Sequence, residues 1–320
     1  MLSSLVWSLC LILVGQVQAT RPAHLLYQFP NTTRIDIENI AIRRNGRLLL
    51  NLISEPSIYW LDPAQHNPSP KHLHTFPYAT SLTGIAETSP DVFAVAVGNY
   101  TYQKLQAHPG SFSIWSIDLN PATPVAKMIT SIPEAKALNG MTALPGSPDV
   151  VLVADSTLGA IFSVNITSGE HLIAIQDSHF GRTSKFPIGI NGVHARGERL
   201  YFTNSAYATF GFVPVTEEGR VAGNVSILAN NTKGDVYDDF ALDRNGTAWI
   251  TNHPNTLTEV TARGEQLIAA GGGNTTQLVQ PTSAALGRGD EECTLYIVTA
   301  GTVSKNSDTT CGQVFTINIC

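Results

Sequence analysis

The sequence predicts an all-β chain: a six-bladed β-propeller whose ring is closed by the N-terminal strand in the last blade. Three observations predict it. One short phrase returns six times, a hairpin turn follows each return, and no long segment carries a helical period. The phrases are Glu38-Asn39-Ile40-Ala41, Thr83-Gly84-Ile85-Ala86, Asn139-Gly140-Met141-Thr142, Asn191-Gly192-Val193-His194, Asp238-Asp239-Phe240-Ala241 and Thr282-Ser283-Ala284-Ala285. Their second residues fall at 39, 84, 140, 192, 239 and 283, so the repeat is 44 to 56 residues long. A period of that size marks one supersecondary unit repeated, each burying its apolar face against the next. Six sheets of three or four strands make a propeller; a two-sheet sandwich rarely gives repeats of such even length.

In the first repeat, Ile37–Arg43 reads as a strand, Asn45-Gly46 as the turn, Arg47–Leu52 as the second strand and Ser57–Leu61 as the third. Asn-Gly between apolar runs predicts a two-residue hairpin loop with positive φ at both central residues. Equivalent turn chemistry stands at Ser89-Pro90-Asp91, Ser147-Pro148-Asp149, Arg196-Gly197-Glu198, Asn245-Gly246 and Gly289-Asp290-Glu291. The second strands of the later repeats are Phe93–Val97, Val150–Ala154, Leu200–Thr203, Ala248–Thr251 and Leu295–Thr299, rich in β-branched and aromatic residues. Residues 282–288, 294–300 and 312–319 give the last blade three strands. His24–Phe29 is expected to add the fourth, which removes an open sheet edge.

Residues 1–19 read as a secretory leader, apolar from Leu2 to Val17 and ending in the small-x-small site Val17-Gln18-Ala19; the alternative is an uncleaved anchor. The remainder, 20–320, reads as one domain. Seven Asn-x-Ser/Thr sequons, at Asn31, Asn99, Asn165, Asn224, Asn230, Asn245 and Asn274, agree with a glycosylated protein of the secretory pathway. Cys293, Cys311 and Cys320 follow the leader, so one pair and one remaining thiol are expected. Antiparallel pairing of 294–300 with 312–319 sets Cys293 opposite Cys320, which favours that pair over Cys293–Cys311. The net charge of -6 argues against nucleic acid and anionic membrane as partners.

In a propeller the first strand of each blade lines the central channel. The start of that strand and the loop after the second strand open on one face. Glu38, Asn139, Asn191 and Asp238 should therefore share a polar pit, ringed by the ends of the second strands at Asn51, Asn99, Asp155, Asn204, Asn252 and Thr299. Asn139, Asn51, Asp155, Asn204 and Asn252 are thus candidate substrate-binding residues. Carboxylates and amide oxygens are hard ligands that suit Ca²⁺, Mg²⁺ or Mn²⁺ rather than Zn²⁺. The alternative is that they satisfy one another and a few channel waters. Long insertions fall on the same face: Asn99–Ser111 with Tyr100, Tyr102 and Lys104, Asp177–Pro187 with Lys185 and Phe186, and Thr302–Cys311. Such loops build pocket walls or lids. His253, Lys185, Tyr100 and Tyr102 are candidate acid–base groups, and Tyr207 and Phe210 candidate aromatic lining. No Gly-x-Ser-x-Gly elbow, His-Glu-x-x-His or phosphate-binding glycine loop is present.

These motifs resemble the senescence-marker, gluconolactonase and luciferin-regenerating-enzyme superfamily of six-bladed propellers along essentially the whole mature chain. Glu38 at the opening of the first inner strand, Asn191 in Asn191-Gly192 and Asp238 ahead of Asp243-Arg244-Asn245-Gly246 match that superfamily's metal motifs in order and blade. The resemblance implies a divalent cation, Ca²⁺ or Mn²⁺, on Glu38, Asn191 and Asp238, with Asn139 meeting substrate or metal. The superfamily's Glu-Gly-Pro-x-Trp stands here as Glu38-Asn39-Ile40-Ala41-Ile42, and its Pro-Asp-Gly as Tyr237-Asp238-Asp239. A nearer resemblance runs through Ile37-Glu38-Asn39-Ile40-Ala41, Leu138-Asn139-Gly140-Met141, Gly189-Ile190-Asn191-Gly192 and Asp238-Asp239-Phe240-Ala241-Leu242-Asp243. These phrases look like those of secreted fungal propellers that include the hetero-Diels–Alderases of tropolone sesquiterpenoid biosynthesis. The resemblance implies a pericyclase joining a tropolone o-quinone methide to a humulene-type sesquiterpene, forming a dihydropyran with no cofactor required. The runners-up are a metal-dependent lactonase and a non-catalytic propeller that binds a small molecule.

Overall fold

A computed structural model describes residues 20–320 apart from 33, 102, 103, 105, 232, 233, 276 and 302–309. Residues 1–19, the expected leader, Tyr102 and most of the 302–311 loop lie outside the described residues. The chain forms six four-stranded antiparallel sheets. Their inner strands are Ile37–Ile42, Ser81–Ser89, Leu138–Leu144, Ile190–Arg196, Val236–Leu242 and Pro281–Leu286. Each contacts the inner strands before and after it, and the sixth contacts the first. The result is a closed six-bladed ring. His24–Gln28 pairs antiparallel with Gln313–Asn318, so the last blade is built from both ends of the chain. Among the described residues no helix is long and apolar enough to cross a membrane.

Apolar packing explains why the blades adhere. Every seam between neighbouring blades holds its own buried cluster. Leu49 and Ile58 meet Phe93 and Val95 between blades 1 and 2, and Ala94 and Phe112 meet Val151 and Phe162 between blades 2 and 3. Leu152 and Ile161 meet Phe202 and Val213 next, then Tyr201 and Phe210 meet Phe240 and Ile250. Trp249 and Leu257 meet Ile297 and Phe315, and Val298 and Val314 meet Ile37 and Leu50 to close the ring. A strand that packs on both faces must be apolar on both, hence the continuous runs in the second strands.

Polar side chains complete the seams at the channel. The Asn51 amide donates to Thr83 O (3.1 Å), Thr83 Oγ1 to Leu138 O (3.1 Å) and Ser156 Oγ to Ile190 O (2.6 Å). Ser205 Oγ donates to Tyr237 O (2.7 Å), Thr251 Oγ1 to Thr282 O (3.0 Å) and Thr282 Oγ1 to Ile37 O (2.8 Å). All six seams are thus stitched where one blade's inner strand begins, satisfying carbonyls that no ladder reaches.

Four turns differ from expectation. At Asn45-Gly46 and Asn245-Gly246 the glycine alone takes positive φ, +82° and +83°. Gly46 N donates to Arg43 O (2.9 Å) and Gly246 N to Asp243 O (3.0 Å), the longer loop in which a left-handed glycine ends a type I turn. The third-blade hairpin turns at Pro145-Gly146, and Ser147–Asp155 is already strand. Gly289–Glu291 forms a 3₁₀ turn instead of a tight hairpin loop. Cys293 and Cys320 are bonded, with a Cα–Cα distance of 5.3 Å, and Cys311 is buried with the blade 6–blade 1 cluster. Asn31, Asn224, Asn230, Asn245 and Asn274 are exposed, whereas Asn99 and Asn165 are half-buried.

Candidate active site

The recurring phrase has a structural cause. In all six blades the pairing of inner and second strand shifts register within the phrase: between Ile37 and Asn39, Leu82 and Ile85, Leu138 and Met141, Ile190 and Val193, Tyr237 and Phe240, and Pro281 and Ser283. A regular strand sends successive side chains to opposite faces, but a bulge re-aims them. Five of the six first residues, Glu38, Asn139, Asn191, Asp238 and Thr282, line one cavity, and the second residues Asn39 and Asp239 line another. Glycine at second positions lets neighbouring strands approach: a Cβ on Gly140 would stand 2.5 Å from Asn191 O, and one on Gly192 2.1 Å from Asp239 Oδ1.

The first cavity, about 350 Å³, has Glu38, Asn139, Asn191, Asp238, His253 and Gln280 among its lining. Its apolar lining includes Ile53, Ala107, Phe186, Pro187, Ile188 and Val236. His253 Nε2 lies 2.7 Å from Asp238 Oδ2, and His253 Nδ1 meets Gln280 Oε1. Asn191 also bonds the Asp238 carboxylate and donates Nδ2 to Ser205 Oγ (2.9 Å), just as Asn139 donates to Ser156 Oγ (3.2 Å). Tyr100 reaches in from its insertion and donates to Leu138 O (3.2 Å).

Burial dominates the electrostatics. It holds the Glu38 carboxyl well above the ordinary range, and the charges of Asp238, Asp239 and Asp36 push the same way. The same effects favour the neutral form of Glu38, which can donate a hydrogen bond. Burial raises Asp238 as well, against the pull of His253. Burial alone would lower the His253 imidazole, but its bond to Asp238 and that carboxylate's charge outweigh it, so His253 is raised. The Tyr100 hydroxyl is raised by burial, then by Glu38 and Asp155, and stays protonated.

These placements revise several expectations. Asn51, Asp155, Asn204 and Asn252 are fully buried and serve the framework. Asp155 accepts from the backbone of Lys136, Ala137, Thr157 and Leu158, and Asn204 Nδ2 donates to His179 O and Gly181 O. Asn252 donates to Thr258 Oγ1. Asp155 and Asn204 end the second strands of blades 3 and 4 and the residues after them, Ser156 and Ser205, line the cavity; in blade 5 the strand's own last residue, His253, does so. Phe210 is core, 1% exposed against Tyr201 and Phe240. Tyr207 is 47% exposed and Lys185 is exposed, and neither lines the cavity. Gln280 and Thr282 line it and were missed as site residues. Thr282 was visible as the first residue of the sixth phrase, but nothing in the sequence marks Gln280.

Glu38, Asn191 and Asp238, the residues expected to hold a cation, line this one cavity, where His253 Nε2 lies against one Asp238 oxygen. The second cavity, about 360 Å³, is floored by Asp239. That carboxylate accepts from Asn39 Nδ2 (3.1 Å), Ser283 Oγ (3.1 Å) and Phe240 N (2.8 Å), and lies 3.1 Å from His194 Nε2. Protein partners complete it, which leaves the first cavity as the candidate site.

No family model matches the chain. A protein of Phoma sp named "Putative hetero-Diels-Alderase" is 27% identical over 307 aligned residues, covering 87% of this chain and 86% of that one. A protein of Sarocladium schorii named "Putative hetero-Diels-Alderase asR5" is 25% identical over 315 residues, covering 87% of this chain and 78% of that one. Among solved structures, the calcium-binding protein regucalcin from Agrobacterium tumefaciens superposes with a TM-score of 0.65 at 15% identity, covering 94% of this chain and 95% of that one. The chain is therefore a six-bladed propeller of the regucalcin type of fold, and it resembles, over most of its length, proteins named as hetero-Diels–Alderases.

Proposed function

We propose that this chain is a hetero-Diels–Alderase that joins a tropolone o-quinone methide to a humulene-type sesquiterpene. The observation that carries the reading is the mixed lining of one cavity. Phe186, Pro187, Ile188, Val236 and Ile53 offer a hydrocarbon surface, while Glu38, Asp238 and His253 offer hydrogen bonds to an oxygenated ring. Similarity to proteins named for this chemistry supports it.

In this reading the substrate arrives as a benzylic alcohol. His253 gives a proton to the leaving hydroxyl, the C–O bond breaks and water departs. The proton of the tropolone hydroxyl returns to the Asp238–His253 pair, so the net change is loss of one water. The oxadiene then adds across a sesquiterpene C=C. One C–C and one C–O bond form, the remaining double bond shifts, and no proton moves. Positioning two partners in one orientation supplies most of the acceleration, and the apolar lining keeps water from the quinone methide. Glu38, as a neutral acid, donates to the oxadiene oxygen and increases its electron demand.

The test separates the two steps. His253→Ala should slow turnover of the alcohol precursor by about 10²-fold or more. With a precursor that releases the quinone methide spontaneously, the same variant should keep the wild-type product ratio. Equal loss with both precursors would remove His253 from the elimination step. Dialysis against a chelator should leave the rate unchanged; loss of turnover restored by Ca²⁺ or Mn²⁺ would favour the hydrolase-type reading.

A further inference from the structure

Gln280 stands where its backbone should not favour it. Its φ is +53°, in the left-handed region that glycine occupies freely and L side chains avoid. The conformation is fixed from both sides: Gln280 N donates to Pro254 O (2.7 Å), and Ala300 N donates to Gln280 O (2.9 Å). Pro254 follows His253 directly, and Ala300 follows the second strand of blade 6. A glycine would meet both bonds without strain. The side chain kept in its place reaches into the cavity and sets Oε1 against His253 Nδ1, while Asp238 Oδ2 stands 2.7 Å from the other ring nitrogen.

We infer that Gln280 is a positioning residue: its side-chain oxygen holds the His253 ring so that Nε2 faces Asp238 and the reacting oxygen. An imidazole anchored at one nitrogen alone can rotate about its Cβ–Cγ bond; one anchored at both cannot. Strained backbone retained beside a reactive group is the pattern expected when the strain serves the site. The inference rests on the proposed reaction for its kinetic consequence, but the ring geometry it asserts is independent of any substrate.

Three variants test it. Gln280→Gly relaxes the backbone and removes the side chain. Gln280→Leu keeps the volume and removes the acceptor. Gln280→Glu keeps an oxygen in reach. Gln280→Gly should melt no lower than wild type, yet its kcat on the alcohol precursor should fall about tenfold or more, with KM little changed. Gln280→Leu should lose kcat likewise, and Gln280→Glu should retain most of it. Imidazole nitrogen NMR, with the His253 signals assigned by their absence in His253→Ala, gives the readout that needs no substrate. Wild type and Gln280→Glu should show a proton held on Nδ1, and Gln280→Gly and Gln280→Leu should show it released. If wild type turns over neither precursor while the NMR pattern holds, the reaction is wrong and the positioning role stands. Unchanged His253 signals in Gln280→Gly and Gln280→Leu, or a kcat that falls only in step with the melting temperature, would overturn the positioning role.

Discussion

Arg43 Nε lies 2.8 Å from Asp91 Oδ1 and ties the first hairpin turn to the second. That bond holds the Asp91 carboxyl below its ordinary value against the opposing effect of burial. Because the folded value is depressed, the contribution is present above the unfolded value, near pH 4, and is lost as pH falls through the folded one. Asp91 also has a φ of +59°, which Asn tolerates. Asp91→Asn should therefore cost about 0.5–1 kcal/mol at pH 7 and less at pH 2, read as converging denaturation midpoints. A constant deficit at both pH values would mean that the backbone, not the charge, is responsible. Glu38, Asn139, Asn191, Asp238 and His253 were legible in the sequence because the repeat aligns them: four open a phrase and the fifth stands at a strand end. Asn51, Asp155, Asn204 and Asn252 misled because the same polar residue types that bind ligands also satisfy backbone groups at strand ends. Gln280 was silent because a left-handed backbone conformation leaves no mark in composition or period.

The phrase itself reads differently once the strands are in place. In the sequence it marks a period; in the fold it is a bulge, a seam bond and, in three blades, a close approach that requires glycine. Hairpins and second strands were legible from turn chemistry and apolar runs. The bulges were not, since two adjacent polar residues interrupt the alternation without showing where the ladder shifts. Gly192→Ala tests the reading. Its Cβ would stand 2.1 Å from Asp239 Oδ1 and 2.9 Å from Asp239 Cα, so the strands must part. The variant should lose about 1–3 kcal/mol and carry both cavities with it. A midpoint equal to wild type would show that the channel accommodates a methyl group there.

Closure governs the ring. The N-terminal strand sits at the outer edge of the last blade, where Leu26, Tyr27 and Phe29 pack on the cluster joining blades 6 and 1. The Cys293–Cys320 bond secures the same blade across a 27-residue separation. Removing residues 20–30 exposes the strand Gln313–Asn318 along its edge and uncovers that cluster. The melting temperature should fall by several degrees, with the loss spread through all blades because each seam depends on the next. An unchanged melting temperature would show that the ring closes without this strand.

One measurement bears most directly on the proposed activity. The purified protein is mixed with a tropolone quinone-methide precursor and a humulene-type sesquiterpene, and the dihydropyran products are resolved by chiral chromatography beside a protein-free control. One dominant stereoisomer should form faster than in the control, reverting toward the control mixture in Glu38→Gln. A product ratio and rate equal to the protein-free control would contradict it.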